Sequence, residues 1–116
     1  MTELIACFGS DTGTQAHVQR VIDGENWDKV FVITSDVANL KTSKNADIIK
    51  IDENKHIPDL AQDIHNALKG KVTDFEVAVN IVSGTGKLHT ALLSAVSKLG
   101  VGLRFVILTK EGVKDI

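Results

Sequence analysis

Read for apolar and polar positions alone, the chain alternates between apolar runs of strand length and segments with helical spacing. The runs are Leu4–Phe8, Val30–Thr34, Ala46–Ile51, Phe75–Val82 and Leu103–Leu108. Four of them are nearly unbroken in aliphatic and β-branched residues, the pattern of parallel strands covered on both faces. The third, ADIIKID, is shorter and carries Asp47 and Lys50, which predicts an edge strand.

Between the runs lie the helical patterns. Ile57, Leu60, Ala61, Ile64 and Leu68 recur on one helix face behind Pro58, with Gly70 as the stop. Leu88, Ala91, Leu92, Ala95 and Leu99 do the same and end at Gly100, predicting a helix over 85–99. A weaker pattern predicts a helix from Gln15 to Ile22, with Val18, Val21 and Ile22 inward and Thr14 as N-cap. VANLKTSKN, between the second and third runs, holds at most one short helix.

Strand alternating with helix is the signature of an α/β fold: a Rossmann-like three-layer sandwich around a mainly parallel sheet, one domain over residues 1–116. Right-handed crossovers give the core order 3-2-1-4-5. In that order the first and fourth strands are neighbours and the chain winds away from them in opposite directions. Ligands of such sheets sit at this switch point, outside the carboxyl ends of the strands. Two small, hydroxyl-rich loops are expected there: GSDTGT, residues 9–14, and SGTGK, residues 83–87.

Composition narrows the function classes. Of 116 residues, 43% are hydrophobic and 24% charged, enough for a core without staples. A formal net charge of −2 gives no basic field for duplex DNA, and 4% aromatics without tyrosine disfavours a base-stacking platform. The lone cysteine, Cys7, lies in an apolar run and reads as a small buried hydrophobe. No secretory leader or membrane span is expected, so the simplest location is the cytoplasm.

Each loop leads into a helix, directing backbone N–H groups and the positive end of a helix dipole into the crevice. Gly9, Gly13, Gly84 and Gly86 allow close backbone approach. Ser10, Thr12, Thr14, Ser83 and Thr85 supply hydroxyls, and Lys87 supplies a cation. Taken singly, each loop is explained by turn chemistry. Together at the switch point they read as a site for phosphate oxygens or ribose hydroxyls, on a nucleotide or a phosphosugar; the alternative is a structural interaction domain whose glycines serve only the turns. The site is not a Walker A loop, because Ile81 and Leu88 stand where that motif needs glycine and a hydroxyl residue. Nor does GSDTGT satisfy the dinucleotide fingerprint.

The segment N80-I-V-S-G-T-G-K87, with the first strand running into F8-G-S-D-T-G13 and the closing strand VGLRFVILT, resembles the CRISPR-associated Rossmann fold (CARF) domains. The resemblance covers most of the chain, although the turn reads G-T-G-K where the family's is closer to G-G-T-K. It implies a homodimer that binds cyclic oligoadenylate, of four or six units, as part of antiviral defence. Carried over, Ser10 matches the position after the first strand and Ser83 to Lys87 match the turn after the fourth. The rest of loop 9–14 and His89 join them as candidate ligand-binding positions by their place in the chain. In members that degrade the ring, a serine and a lysine at such positions, here Ser10 and Lys87, assist attack of a ribose 2′-hydroxyl on its neighbouring phosphate. Such ring nuclease chemistry needs no metal and no cofactor.

The remaining polar residues carry weaker signals. His17, His56, His65 and His89 have no metal-binding spacing, and His17 is expected to face solvent. His89 is expected in solvent or at an interface, two residues beyond Lys87 and within reach of a ligand. Asp11 is expected to cap its own turn. Leu93 and Val96 widen the apolar face of the 85–99 helix and hint at a dimer contact. Trp27 is expected to close the end of the sheet, and Arg104 to lie at an edge or in a buried pair.

Overall fold

A computed structural model describes residues 2–41 and 45–116. Its strands are β1 (Glu3–Phe8), β2 (Lys29–Thr34), β3 (Asp47–Lys50), β4 (Glu76–Asn80), β5 (Gly102–Thr109) and β6 (Gly112–Asp115). Its helices are α1 (Thr12–Asp23), α2 (Ile57–Leu68) and α3 (Gly86–Ser97), with one 3-10 turn at Val37–Asn39. That turn is the short helix expected in VANLKTSKN, of which residues 42–44 lie outside the described residues.

The sheet order is β3-β2-β1-β4-β5-β6. The first five strands are parallel, in the order that the alternating pattern and right-handed crossovers require. β1 and β4 sit side by side, Ala6 opposite Asn80, so the loops that follow them leave from adjacent points on one edge. β6 was not expected. It returns antiparallel to β5 through a tight turn, with Thr109 opposite Gly112 and Thr109 Oγ1 donating to the Gly112 carbonyl at 2.8 Å.

Two apolar layers flank the sheet. Ile5, Cys7, Phe31, Ile33, Val77 and Val79 point to α2 and α3, where Leu60, Ile64, Leu68, Leu88, Leu92 and Val96 meet them. Leu4, Ala6, Phe8, Val30, Val32 and Ala78 point the other way, to Val18, Val21 and Ile22 of α1. Side chains alternating between two buried faces explain why β1 is apolar throughout; every residue of it is buried.

Three expectations change. Phe75 precedes β4 and is 96% exposed, and Ile81 and Val82 follow it. Val96 is fully buried and Leu93 packs against the same cluster, so the apolar width of α3 is absorbed by this chain's own core. Arg104 is in neither an edge strand nor a buried pair: β5 lies between β4 and β6, and the guanidinium, partly exposed, pairs with Asp115, with Glu76 at 3.5 Å, and with the Thr2 hydroxyl. Trp27, half-buried, packs against the α1 layer, its Nε1 donating to the Val21 carbonyl at 3.0 Å.

Candidate functional site

The loops after β1 and β4 are fastened to each other. The buried Ser83 hydroxyl oxygen accepts from the Gly9 amide at 2.8 Å and from Thr14 Oγ1 at 3.0 Å. The two backbones come so close that a Cβ on Gly9 would stand 2.6 Å from Gly84 N and 2.7 Å from Gly84 Cα. Only glycine fits there. Gly84 has φ +98, a left-handed conformation that side chains rarely adopt, and this turn swings the chain from β4 into α3. His89 Nε2 donates to the Ser83 carbonyl at 2.8 Å and braces the same turn from within α3.

Both helices begin at this junction. Asp11 caps α1, its Oδ2 accepting from the Thr14 amide at 2.9 Å; the capping role expected of Asp11 is present, and the N-cap is Asp11 rather than Thr14. Thr85 caps α3 by accepting from the Leu88 amide at 3.2 Å. The Gln15 and His89 amides close the first helical turns onto the Asp11 and Thr85 carbonyls, at 2.9 Å each. The first two amides of each helix, Thr12 and Gly13 in α1, Gly86 and Lys87 in α3, have no intrahelical acceptor. They mark the positive ends of two helix dipoles, from opposite faces of the sheet, at the carboxyl ends of β1 and β4.

Between the loops is a cavity of about 270 Å³. Gly9, Ser10, Asp11 and Thr14 line it from the first loop, Val82, Gly84 and Thr85 from the second, and Glu53 from the segment after β3. Of the positions expected to bind, Gly9, Ser10, Asp11, Thr14, Gly84 and Thr85 are therefore brought together. Ser83 is buried behind the cavity as a fastener. Thr12, Gly13, Gly86, Lys87 and His89 stand outside its lining, at the helix starts.

Lys87 answers to a neighbour the sequence did not reveal. Its Nζ donates to the Glu53 carbonyl at 2.6 Å, which ties the start of α3 to the β3–α2 connection. Among the described residues no hydrogen bond joins Lys87 to Ser10, which is exposed at the rim. Glu53 is itself oriented by Ser35, whose hydroxyl donates to Oε2. Gln15 was also missed: buried, it donates through Nε2 to the Gly9 carbonyl at 2.6 Å and to Asp36 Oδ2 at 2.9 Å. Position was the available signal for Glu53, because it follows a strand at the same carboxyl edge as both loops.

The α1 face of the junction holds a second polar cluster. Asn80, fully buried, donates through Nδ2 to the Val106 carbonyl at 2.9 Å and towards His17 Nε2 at 3.3 Å. The Leu108 amide donates to the same His17 nitrogen at 3.4 Å. With two hydrogens directed at it, Nε2 is the unprotonated nitrogen, and burial lowers the pKa of His17 from its ordinary value. His17 is thus partly buried against β4 and β5, not turned to solvent. Burial, together with the Glu53 charge, pushes the Cys7 thiol up to about 12, so it stays protonated as an inert core residue.

Among the described residues no group of histidine, cysteine, aspartate or glutamate is arranged to hold a metal ion, and no helix is long and apolar enough to cross a membrane. No protein-family model, curated protein or solved structure matches the chain.

Proposed function

We propose that this chain binds a cyclic oligoadenylate of four or six units in the crevice between residues 9–14 and 83–87, as a cytoplasmic homodimer. The observation that carries the reading is the junction of the two loops, where Gly9 and Ser83 are bonded at 2.8 Å beside two helix starts. Paired positive helix ends and unsatisfied amides favour phosphate oxygens. The identity of the ligand comes from the resemblance of N80-I-V-S-G-T-G-K87 to CARF domains.

The cavity's size supports the homodimer. At about 270 Å³ it lies below the ~300–1,000 Å³ of pockets that enclose a drug-sized ligand, so a ring of several nucleotides needs a second copy to complete its site. Holding the ring is better supported than cutting it, since Lys87 is engaged by the Glu53 carbonyl and stands apart from the cavity lining. The same small volume supports a second reading, a mononucleotide or phosphosugar held by one chain.

Calorimetric titration with cyclic tetra-adenylate, cyclic hexa-adenylate, AMP and ribose 5-phosphate tests the assignment. Micromolar or tighter binding of one ring, at one ring per two chains, is expected. Binding of AMP or ribose 5-phosphate alone would replace it with the second reading, and no binding of any of them would overturn both.

A further inference from the structure

Glu53 is out of character in a cavity suited to phosphate. Two separate bonds hold it there: Ser35 donates to its Oε2, and Lys87 donates to its main-chain carbonyl at 2.6 Å. Glu53 lines the same cavity as Gly9, Ser10, Gly84 and Thr85. An ionised carboxylate accepts hydrogen bonds and donates none, and its two oxygens offer about four lone-pair sites, of which Ser35 uses one. Phosphate oxygens are acceptors as well and repel it. Whatever Glu53 meets in a ligand must therefore be a hydrogen-bond donor.

An adenylate joined through 3′–5′ linkages carries two kinds of donor, the ribose 2′-hydroxyl and the N6 amino group of the base. The 2′-hydroxyl is on the carbon next to the one bearing the phosphate, while N6 lies at the far end of the base. With the unpaired helix-start amides beside a cavity of about 270 Å³, a group lining that cavity meets the hydroxyl next to the phosphate. We propose that Glu53 accepts a hydrogen bond from the ribose 2′-hydroxyl of the bound ligand and so restricts this site to ribonucleotides. The proposal rests on the nucleotide reading above and assigns the sugar specificity of that site.

A site built to hydrogen-bond a ligand hydroxyl binds the analogue that lacks it more weakly, because the carboxylate acceptor loses that partner. The test is a calorimetric comparison of three rings on the full chain: cyclic tetra-adenylate, its 2′-deoxy counterpart, and cyclic tetra-inosinate, in which the N6 amino group is replaced by oxygen. Tighter binding of the ribose ring than the deoxy ring by about tenfold or more is expected, from the strength of hydrogen bonds to charged groups. Glu53→Ala should bring that ratio close to one, and Ser35→Ala, which frees the carboxylate without removing it, should reduce it. Melting midpoints of both variants establish that they fold.

Equal binding of the ribose and deoxy rings by the native chain overturns the proposal and leaves the nucleotide reading standing. A loss confined to the inosinate ring also overturns it, and assigns Glu53 to the base instead. Persistence of the ribose preference in a folded Glu53→Ala variant does the same. Failure of the native chain to bind any ring overturns the nucleotide reading, and this proposal with it.

Discussion

The Gly9 amide and the Ser83 hydroxyl oxygen, 74 positions apart in the chain, meet at 2.8 Å out of contact with water. That bond brings the carboxyl ends of β1 and β4 into one structural unit and sets the spacing of the cavity between their loops. The site is therefore a product of sheet topology, since only neighbouring strands can deliver two loops to this distance.

Ser83→Ala should destabilise the fold by about 1–3 kcal/mol, because the Gly9 amide is left buried without an acceptor. Urea denaturation measures it. A change below about 0.5 kcal/mol, the scale of an ordinary surface substitution, would remove Ser83 from its fastening role.

Gly9→Ala and Gly86→Ala should behave differently. The new methyl at Gly9 collides with the Gly84 backbone at 2.6–2.7 Å and should cost about 1–3 kcal/mol as an overpacked contact. At Gly86 a Cβ meets nothing within 4 Å and φ is not positive, so the change should stay within about 0.5 kcal/mol. Equal thermal midpoints for the two variants would contradict the close loop approach.

Stability should fall in two steps on acidification. His17 has a lowered pKa in the fold, so below the unfolded value of 6.5 the unfolded chain binds more protons and stability declines until the folded value is passed. For Glu3, burial raises the carboxyl pKa, but bonds from the Thr73 hydroxyl and the Thr73 and Asp74 amides, with the Lys29 charge, outweigh it and leave it lowered. Its contribution is present above 4.5 and is lost as pH falls through the folded value. Denaturation followed from pH 8 to well below 4.5 checks both, and His17→Gln should flatten the upper step alone.

The fold was almost wholly legible because buried parallel strands announce themselves as continuous apolar runs, and the order of β1 to β5 follows from crossover handedness. β6 was not legible: in GVKD only Val113 is apolar, and antiparallel pairing on an edge asks little of the side chains. Phe75 was assigned to a strand by its hydrophobicity, yet its neighbours leave it in water. The junction of residues 9–14 with 83–87 could be placed from topology. The partners of Lys87, His17 and His89 could not, because each depends on which element packs opposite, information that no local spacing carries.

Lys87→Ala should leave stability within about 1 kcal/mol, since one partly buried hydrogen bond is lost, and should weaken ring binding about tenfold by releasing Glu53. Parallel melting and calorimetry separate the two effects. Unchanged ring affinity would remove Lys87 from the binding account.

Amide chemical-shift mapping of the isotope-labelled chain, titrated with cyclic tetra- and hexa-adenylate, tests the location of the site most directly. The largest shifts are predicted at Ser10, Thr12, Gly13, Gly84, Thr85, Gly86 and Lys87, in the two loops and at the starts of α1 and α3. Shifts centred elsewhere, such as the cavity beside Trp27 and Arg104 at the opposite end of the sheet, or none at saturating ligand, would contradict it.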